Sequence, residues 1–196
     1  REGLGSDTRI GDQFLYAGLG YGGSCFPKDI NALIHFQNEN SIQSNILEAA
    51  YTQNNDMEDF FFSKIMNIFD NPSQAKLLFW GVSFKPNTDD IRESVAIKLV
   101  LRLVDKFESI GLYDPKALDN AKIELGSNDN ILFLKDKYEA IETYDALIIC
   151  TEWKEFWNPN FQKLKKIKSK VIFDGRNILN KHQVIENDLT YIGIGT

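Results

Sequence analysis

Ala146-Leu147-Ile148-Ile149-Cys150-Thr151 is an unbroken apolar run with no polar alternation. A run of that length without alternation reads as a strand covered on both faces, the habit of a parallel sheet. Working outward, four more stretches share its grammar. Leu77-Leu78-Phe79-Trp80 is a short apolar run closed by Gly81, and Ile110-Gly111-Leu112-Tyr113 ends in the turn Asp114-Pro115. Val171-Ile172-Phe173-Asp174 and Tyr191-Ile192-Gly193 follow. Between them the period changes. Val95, Ile97, Leu99, Val100, Leu103 and Val104 recur at helical spacing within Ser94 to Phe107, and Phe161 to Ile167 is a second helical stretch. Short apolar strands alternating with helices predict an α/β fold with a doubly wound, mostly parallel sheet over residues 73–196.

The preceding residues, 1–72, are of another kind. Residues 1–24 are glycine-rich. A helix begins at Pro27, with Ile30, Leu33 and Ile34 on one face, and Asn38-Glu39-Asn40 reads as a turn. From Ser41 there is no Gly or Pro before Pro72, and Ile42, Ile46, Leu47, Ala50, Met57, Phe61, Ile65 and Ile68 keep helical spacing. This predicts one connecting helix to about Asp70, roughly 45 Å long at ~1.5 Å per residue. A helix of that length joins domains or packs on a partner chain, so 1–72 is expected to be a helical dimerisation region.

Composition removes several function classes. The 196 residues carry a net charge of −6, which disfavours a nucleic-acid backbone as partner. Hydrophobic residues make up 43%, enough for a core, yet no run of 18 apolar residues suggests a membrane span. Only Cys25 and Cys150 occur, with no CxxC and two histidines, so neither a disulfide framework nor a metal site is expected, and the cytoplasm is the expected compartment. The chain starts at Arg1 rather than Met, which suggests a piece of a longer protein.

The sharpest local feature is Gly22-Gly23-Ser24-Cys25-Phe26-Pro27-Lys28-Asp29. Pro27 suits the start of a helix, which puts Cys25 just before its N-terminus. The positive helix end and Lys28 favour the reactive thiolate, and Asp29 sets a carboxylate nearby. A buried cysteine ahead of an ordinary helix is the competing reading. Gly18-x-Gly20-x-x-Gly23 matches a dinucleotide fingerprint in letters alone, since too little strand precedes it and no helix opens directly on it. The second feature, Gly81 to Ser94, joins a strand to a helix and holds Lys85 and Arg92, cations able to meet a diphosphate. A solvated connecting loop explains it equally well. Phe173-Asp174-Gly175-Arg176 and Thr151-Glu152-Trp153 mark two further strand ends.

The run Gly20-Tyr21-Gly22-Gly23-Ser24-Cys25-Phe26-Pro27-Lys28-Asp29 resembles the active-site signature of the UDP-glucose and GDP-mannose dehydrogenases. The resemblance continues through Asp7-Thr8-Arg9-Ile10-Gly11, Phe84-Lys85, Asp90-x-Arg92-Glu93-Ser94, Tyr113-Asp114-Pro115, Cys150-Thr151-Glu152-Trp153 and Phe173-Asp174-Gly175-Arg176, in the family's order. It implies a Rossmann-like domain for the sugar nucleotide over 73–196, and a separate N-terminal NAD-binding domain absent from this stretch. It implies oxidation of the primary alcohol of UDP-glucose to the acid with two NAD+, through a thiohemiacetal and a thioester on Cys25. Asp29 would handle protons and the hydrolytic water, with Lys28 as electrostatic support. Phe14, Leu15, Tyr16 and the chain to Gly22 would wrap the sugar nucleotide. Phe84, Lys85 and Arg176 would contact it, Arg92 would reach the cofactor pyrophosphate, and Arg9 the substrate of a neighbouring subunit in a homodimer or larger oligomer. Some relatives have Lys where this chain has Tyr16, so that position carries over as loop backbone.

Three rivals accompany this reading. A sister enzyme acting on GDP-mannose or a UDP-N-acetylhexosamine shares most of these motifs. A non-catalytic nucleotide-sugar-binding dimerisation module needs only the binding residues. A cysteine hydrolase needs a histidine beside Cys25, and only His35 and His182 are on offer.

Overall fold

The computed structural model describes residues 2–11, 15–42 and 45–195. A short helix, α1 (Glu2–Gly5), leads into an irregular stretch and then α2 (Phe26–Glu39) and α3 (Asn45–Met66). The rest alternates: β1 (Lys76–Trp80), α4 (Val95–Leu103), β2 (Ser109–Tyr113), α5 (Leu118–Leu125), β3 (Ile131–Phe133), β4 (Ala146–Ile149), α6 (Phe161–Leu164), β5 (Val171–Asp174), α7 (Lys181–Glu186) and β6 (Thr190–Gly193).

The six strands form one sheet in the order β3-β2-β1-β4-β5-β6, and every pairing is parallel. This is the Rossmann-like, doubly wound arrangement, with its topological switch point between β1 and β4. Successive side chains leave a strand on opposite faces, so β1 feeds two cores. Leu77 and Phe79 join Ile148 and Phe173 under α3, α4 and α5. Leu78 and Trp80 join Leu147, Ile149 and Ile172 under Trp153, Phe156, Leu164 and Val184.

The helical segment is fastened to the first of these cores. Phe61 and Ile65, one turn apart on α3, are fully buried, and the Phe61 ring meets Phe173 edge-on at 6.1 Å. Arg102 of α4 ties the helices together, 2.8 Å from Glu58 and 2.7 Å from Asp59. Leu19, from the irregular stretch, is only 1% exposed and sits in the same core.

Several expected bounds change. The connecting helix is 22 residues long rather than running from Ser41 to Asp70, so it spans about 33 Å. Ser41 has φ 57, a left-handed conformation that belongs to the turn after α2. At the other end Ile68 N and Phe69 N bond to Ile65 O and Met66 O, a tightening to three-residue spacing ahead of Pro72. The helix expected over Ser94 to Phe107 ends at Leu103, and the one expected to reach Ile167 ends at Leu164. Strand β3 and helices α1, α5 and α7 lie where no element was expected.

Candidate active site

Ligands of open α/β sheets bind outside the carboxyl ends of strands at the switch point, here the ends of β1 and β4. The connection from β1 to α4, residues 81–94, starts there, and its root is locked by Asp114 at the end of β2. One carboxylate oxygen accepts from Val82 N (2.8 Å), Ser83 N (3.0 Å), Ser83 Oγ (2.9 Å) and Trp153 Nε1 (3.2 Å). The other accepts from Lys116 N and Ala117 N, both at 2.9 Å. Thr151 Oγ1 donates to Ser83 O at 2.6 Å, and Ser94 Oγ to Val82 O at 2.7 Å. Phe84 and Lys85 therefore leave a fixed point, and the Lys85 ammonium sits 5.3 Å from the Phe84 ring centre.

The chain before Cys25 docks onto this connection. Gly23 N donates to Arg92 O at 3.0 Å. A Cβ on Gly22 would lie 2.3 Å from the Glu93 carbonyl oxygen, so the approach admits glycine alone. Arg176 closes the other side. Its Nε is 2.7 Å from Glu152 Oε2, and its Nη1 donates to Gly20 O at 3.4 Å. Asp174 behind it is buried, which raises its carboxyl above the ordinary range although Leu179 N, Arg176 N and Tyr191 OH all donate to it. Leu19, Gly20, Gly22, Phe84, Cys150 and Arg176 line a cavity of about 10 Å³, the space of one water.

Cys25 is the N-cap residue of α2, and its carbonyl accepts the first helical bond from Asp29 N at 2.8 Å. The thiol is exposed, with Ser24 Oγ 3.7 Å from Sγ. Lys28 and Asp29 form an exposed ion pair at 3.3 Å. The flanking Ser24 and Pro27 are in the wall of a cleft of about 510 Å³, a volume that suits a small ligand. Tyr21, Lys28, Asn54, Arg92 and Lys98 also line it. Arg92 is forked onto Asp90 (Nη2–Oδ2 2.6 Å), and that hydrogen bonding holds the Asp90 carboxyl below its ordinary value and lifts the guanidinium. Glu93, at φ 52, pairs with Lys98 at 2.6 Å.

The expected residues thus separate. Lys28 and Arg92 line the cleft, Cys25 and Asp29 adjoin its lining residues in the chain without being among them, and Gly22, Phe84 and Arg176 line the smaller cavity. Leu15 is half-buried, and exposed Tyr16 meets Trp157 edge-on at 6.1 Å. Phe14 lies outside the described residues. Arg9 is not at the cleft: it is forked onto Asp7 (Nε–Oδ1 2.9 Å, Nη2–Oδ2 2.5 Å) with its side chain 86% exposed. Cys150 is buried, as its place in the sheet suggests, and burial pushes its thiol well up. His35 pairs with Glu39 at 3.2 Å and stands ten residues along α2 from Cys25, about 15 Å at ~1.5 Å per residue. That leaves a thiol–imidazole pair with His35 out of reach. Among the described residues no group of acids, histidines or cysteines could hold a metal ion, and no helix is long and apolar enough to cross a membrane. Asn54 was not expected. The polar break Gln53-Asn54-Asn55-Asp56 in an amphipathic helix is the signal that marks it.

Two family models match the chain. The central domain of the UDP-glucose/GDP-mannose dehydrogenase family covers residues 1–56, and that family's UDP binding domain covers 78–181. A UDP-glucose 6-dehydrogenase of Pseudomonas aeruginosa is 38% identical over 202 residues, covering 100% of this chain and 44% of the relative. One from Rickettsia bellii is 38% identical over 197 residues, covering 100% and 45%. This chain therefore spans under half the length of those relatives. A UDP-glucose dehydrogenase structure from Pyrobaculum islandicum has TM-score 0.80 at 28% identity, over 98% of this chain and 42% of that one. A UDP-D-ManNAc dehydrogenase from Pyrococcus horikoshii has TM-score 0.75 at 26%, over 99% and 43%.

Proposed function

Because the chain belongs to the UDP-glucose/GDP-mannose dehydrogenase family, we propose that it supplies the substrate-binding and covalent half of an NAD-dependent UDP-glucose 6-dehydrogenase. The observation that carries this reading is the exposed Cys25 at the N-cap of α2, between two residues of the cleft wall. An exposed thiol at the start of a helix is accessible to the carbonyl carbon of a bound substrate.

The sugar's primary alcohol loses a hydride and a proton to give an aldehyde. Cys25 Sγ adds to the aldehyde carbon, and the new C–S bond holds the reactive species on the protein as a thiohemiacetal. Loss of a second hydride from that carbon, with the proton of its hydroxyl, leaves a thioester. Water then adds, the C–S bond breaks and the thiolate departs from the acid. Asp29, one helical turn from Cys25, takes the proton of the attacking water, and Lys28 steadies the charge on Asp29 through their ion pair. NAD+ supplies the chemistry of accepting the two hydrides. Arg92, Lys98 and Lys28 in the cleft wall suit its anionic portion, with Arg92 the cation for the pyrophosphate.

Phe84, Lys85 and Arg176 hold the sugar nucleotide, with the loop of Phe14, Leu15, Tyr16 and Gly22 around it. Leu33, Phe36, Ile46 and Phe60 leave α2 and α3 with large exposed apolar side chains, which supports a homodimer in which Arg9 reaches the substrate of the neighbouring subunit. Two free cysteines suit the cytoplasm.

Cys25→Ala in the intact dehydrogenase tests the reading. Acid formation from UDP-glucose disappears, while calorimetric affinity for UDP-glucose stays within about 1 kcal/mol, because a surface thiol contributes little to holding a diphosphate. Undiminished turnover by this variant refutes Cys25 as the nucleophile.

A further inference from the structure

Helix α3 reaches across to the chain that leads into Cys25. The Asn54 side chain meets the backbone of Tyr21 twice: Oδ1 accepts from Tyr21 N at 2.7 Å, and Nδ2 donates to Tyr21 O at 3.2 Å. That is the pair of bonds a neighbouring strand would offer, supplied by one amide 33 positions away. Gly20 admits it. Its φ is +108, and a Cβ there would lie 2.6 Å from Asn54 Oδ1. On the far side Gly23 N is bonded to Arg92 O, and the Tyr21 ring packs edge-on against Phe26, the first residue of α2, at 4.5 Å. The residues entering α2 are therefore pinned from two directions, by α3 and by the β1–α4 connection.

We propose that Asn54 is a positioning residue for Cys25. Its amide sets the direction in which the chain enters α2, and so where the sulfur stands relative to the cleft wall. This rests on the reading of Cys25 as the nucleophile. The geometry is specific to asparagine. Aspartate keeps the acceptor for Tyr21 N but turns a carboxylate oxygen toward Tyr21 O, and leucine keeps the volume and loses both bonds.

The test compares Asn54→Asp and Asn54→Leu with the native protein in two measurements. The first is amide hydrogen exchange. Exchange of the Tyr21 amide rises roughly tenfold or more in Asn54→Leu, since a lost hydrogen bond of ordinary strength is about that factor, while amides of β1 and β4 keep their rates. Those sheet amides distinguish a local release from failure to fold, and Asn54→Ala, which also lacks both bonds, replaces the leucine variant in this measurement if that one is unfolded. The second is turnover of UDP-glucose by the intact dehydrogenase. Its kcat falls about tenfold or more in both variants, with a smaller change in KM, as expected when the reacting group and not the ligand is misplaced. An unchanged Tyr21 exchange rate in the variant that lacks both bonds overturns the clamp, and faster exchange there with unchanged kcat overturns its role in positioning. Cys25→Ala separates the two layers. Turnover surviving that substitution defeats the nucleophile and with it the positioning role, whereas turnover lost there and retained in both Asn54 variants defeats the positioning role alone.

Discussion

Replacing Asp114 by Asn exchanges one oxygen for an amide nitrogen where six donors converge: Val82 N, Ser83 N, Ser83 Oγ and Trp153 Nε1 on one oxygen, Lys116 N and Ala117 N on the other. The amide will turn its oxygen to the group of four and its nitrogen to the group of two. Two backbone donors then face a third donor in a site only 3% exposed. Each hydrogen bond to a charged acceptor contributes about 1.5–3 kcal/mol, so losing two costs about 3 kcal/mol or more. In a chain of this size each kcal/mol moves the melting temperature by ~2–4 °C, which gives a fall of roughly 6–12 °C. The control is Asp119→Asn, whose side chain is 92% exposed and pairs with Lys122 at 2.9 Å. A surface pair of that kind contributes at most about 1 kcal/mol. The assay is thermal unfolding followed by circular dichroism, with UDP titrated into each variant by calorimetry, because Phe84 and Lys85 leave the point that Asp114 fixes. A fall of less than about 2 °C in Asp114→Asn, or one no larger than in Asp119→Asn, shows that Asp114 does not anchor this connection.

Gly22→Ala drives a Cβ to within 2.3 Å of the Glu93 carbonyl oxygen, a backbone atom with no rotamer to escape into. The loop must shift at a cost of about 1–3 kcal/mol. Exchange of the Gly23 amide, bonded to Arg92 O, will accelerate, and an unchanged rate counts against docking of this loop on the β1–α4 connection. Tyr144→Phe concerns alkaline stability. Burial pushes the Tyr144 phenol from 10.0 up to about 12. Above pH 10 the unfolded chain therefore loses this proton first, and the native state binds more protons. Stability contributed by the group is whole below the unfolded value and declines as pH rises through 10 to 12, at up to about 1.4 kcal/mol per pH unit. Urea melts across that range will show a shallower decline for Tyr144→Phe, and identical slopes exclude the effect.

The parts of the fold legible in the sequence are those whose signal is local. Strands β1, β4 and β5 are continuous apolar runs because both faces are covered, and Pro27 marks the start of α2, which fixes Cys25 as its cap. Periodicity overran α3 because it registers which face is apolar and not where the backbone turns: Ser41 keeps the pattern while adopting φ 57. Strand β3 escaped notice because it is three residues long at a sheet edge, with Leu132 exposed. Helix α7 buries Val184 alone. Asn54 is marked locally only by the polar break Gln53 to Asp56 and Asp114 only by its turn with Pro115, and neither pattern names the backbone 31 to 33 positions away that the side chain binds.

Leu19 gives the site a further property. It belongs to the loop ahead of Cys25, yet its side chain is a plug in the sheet's core, so close to Gly175 that a Cβ there would lie 2.6 Å from its Cδ1. Withdrawing a leucine from such a seat costs about 1.5–3 kcal/mol, so the loop cannot breathe freely without uncorking the core beneath it. Linkage runs in the other direction as well. A ligand that grips only the seated loop stabilises the sheet by RT ln(1 + [L]/Kd), and the strands, though they never touch it, melt later for its presence.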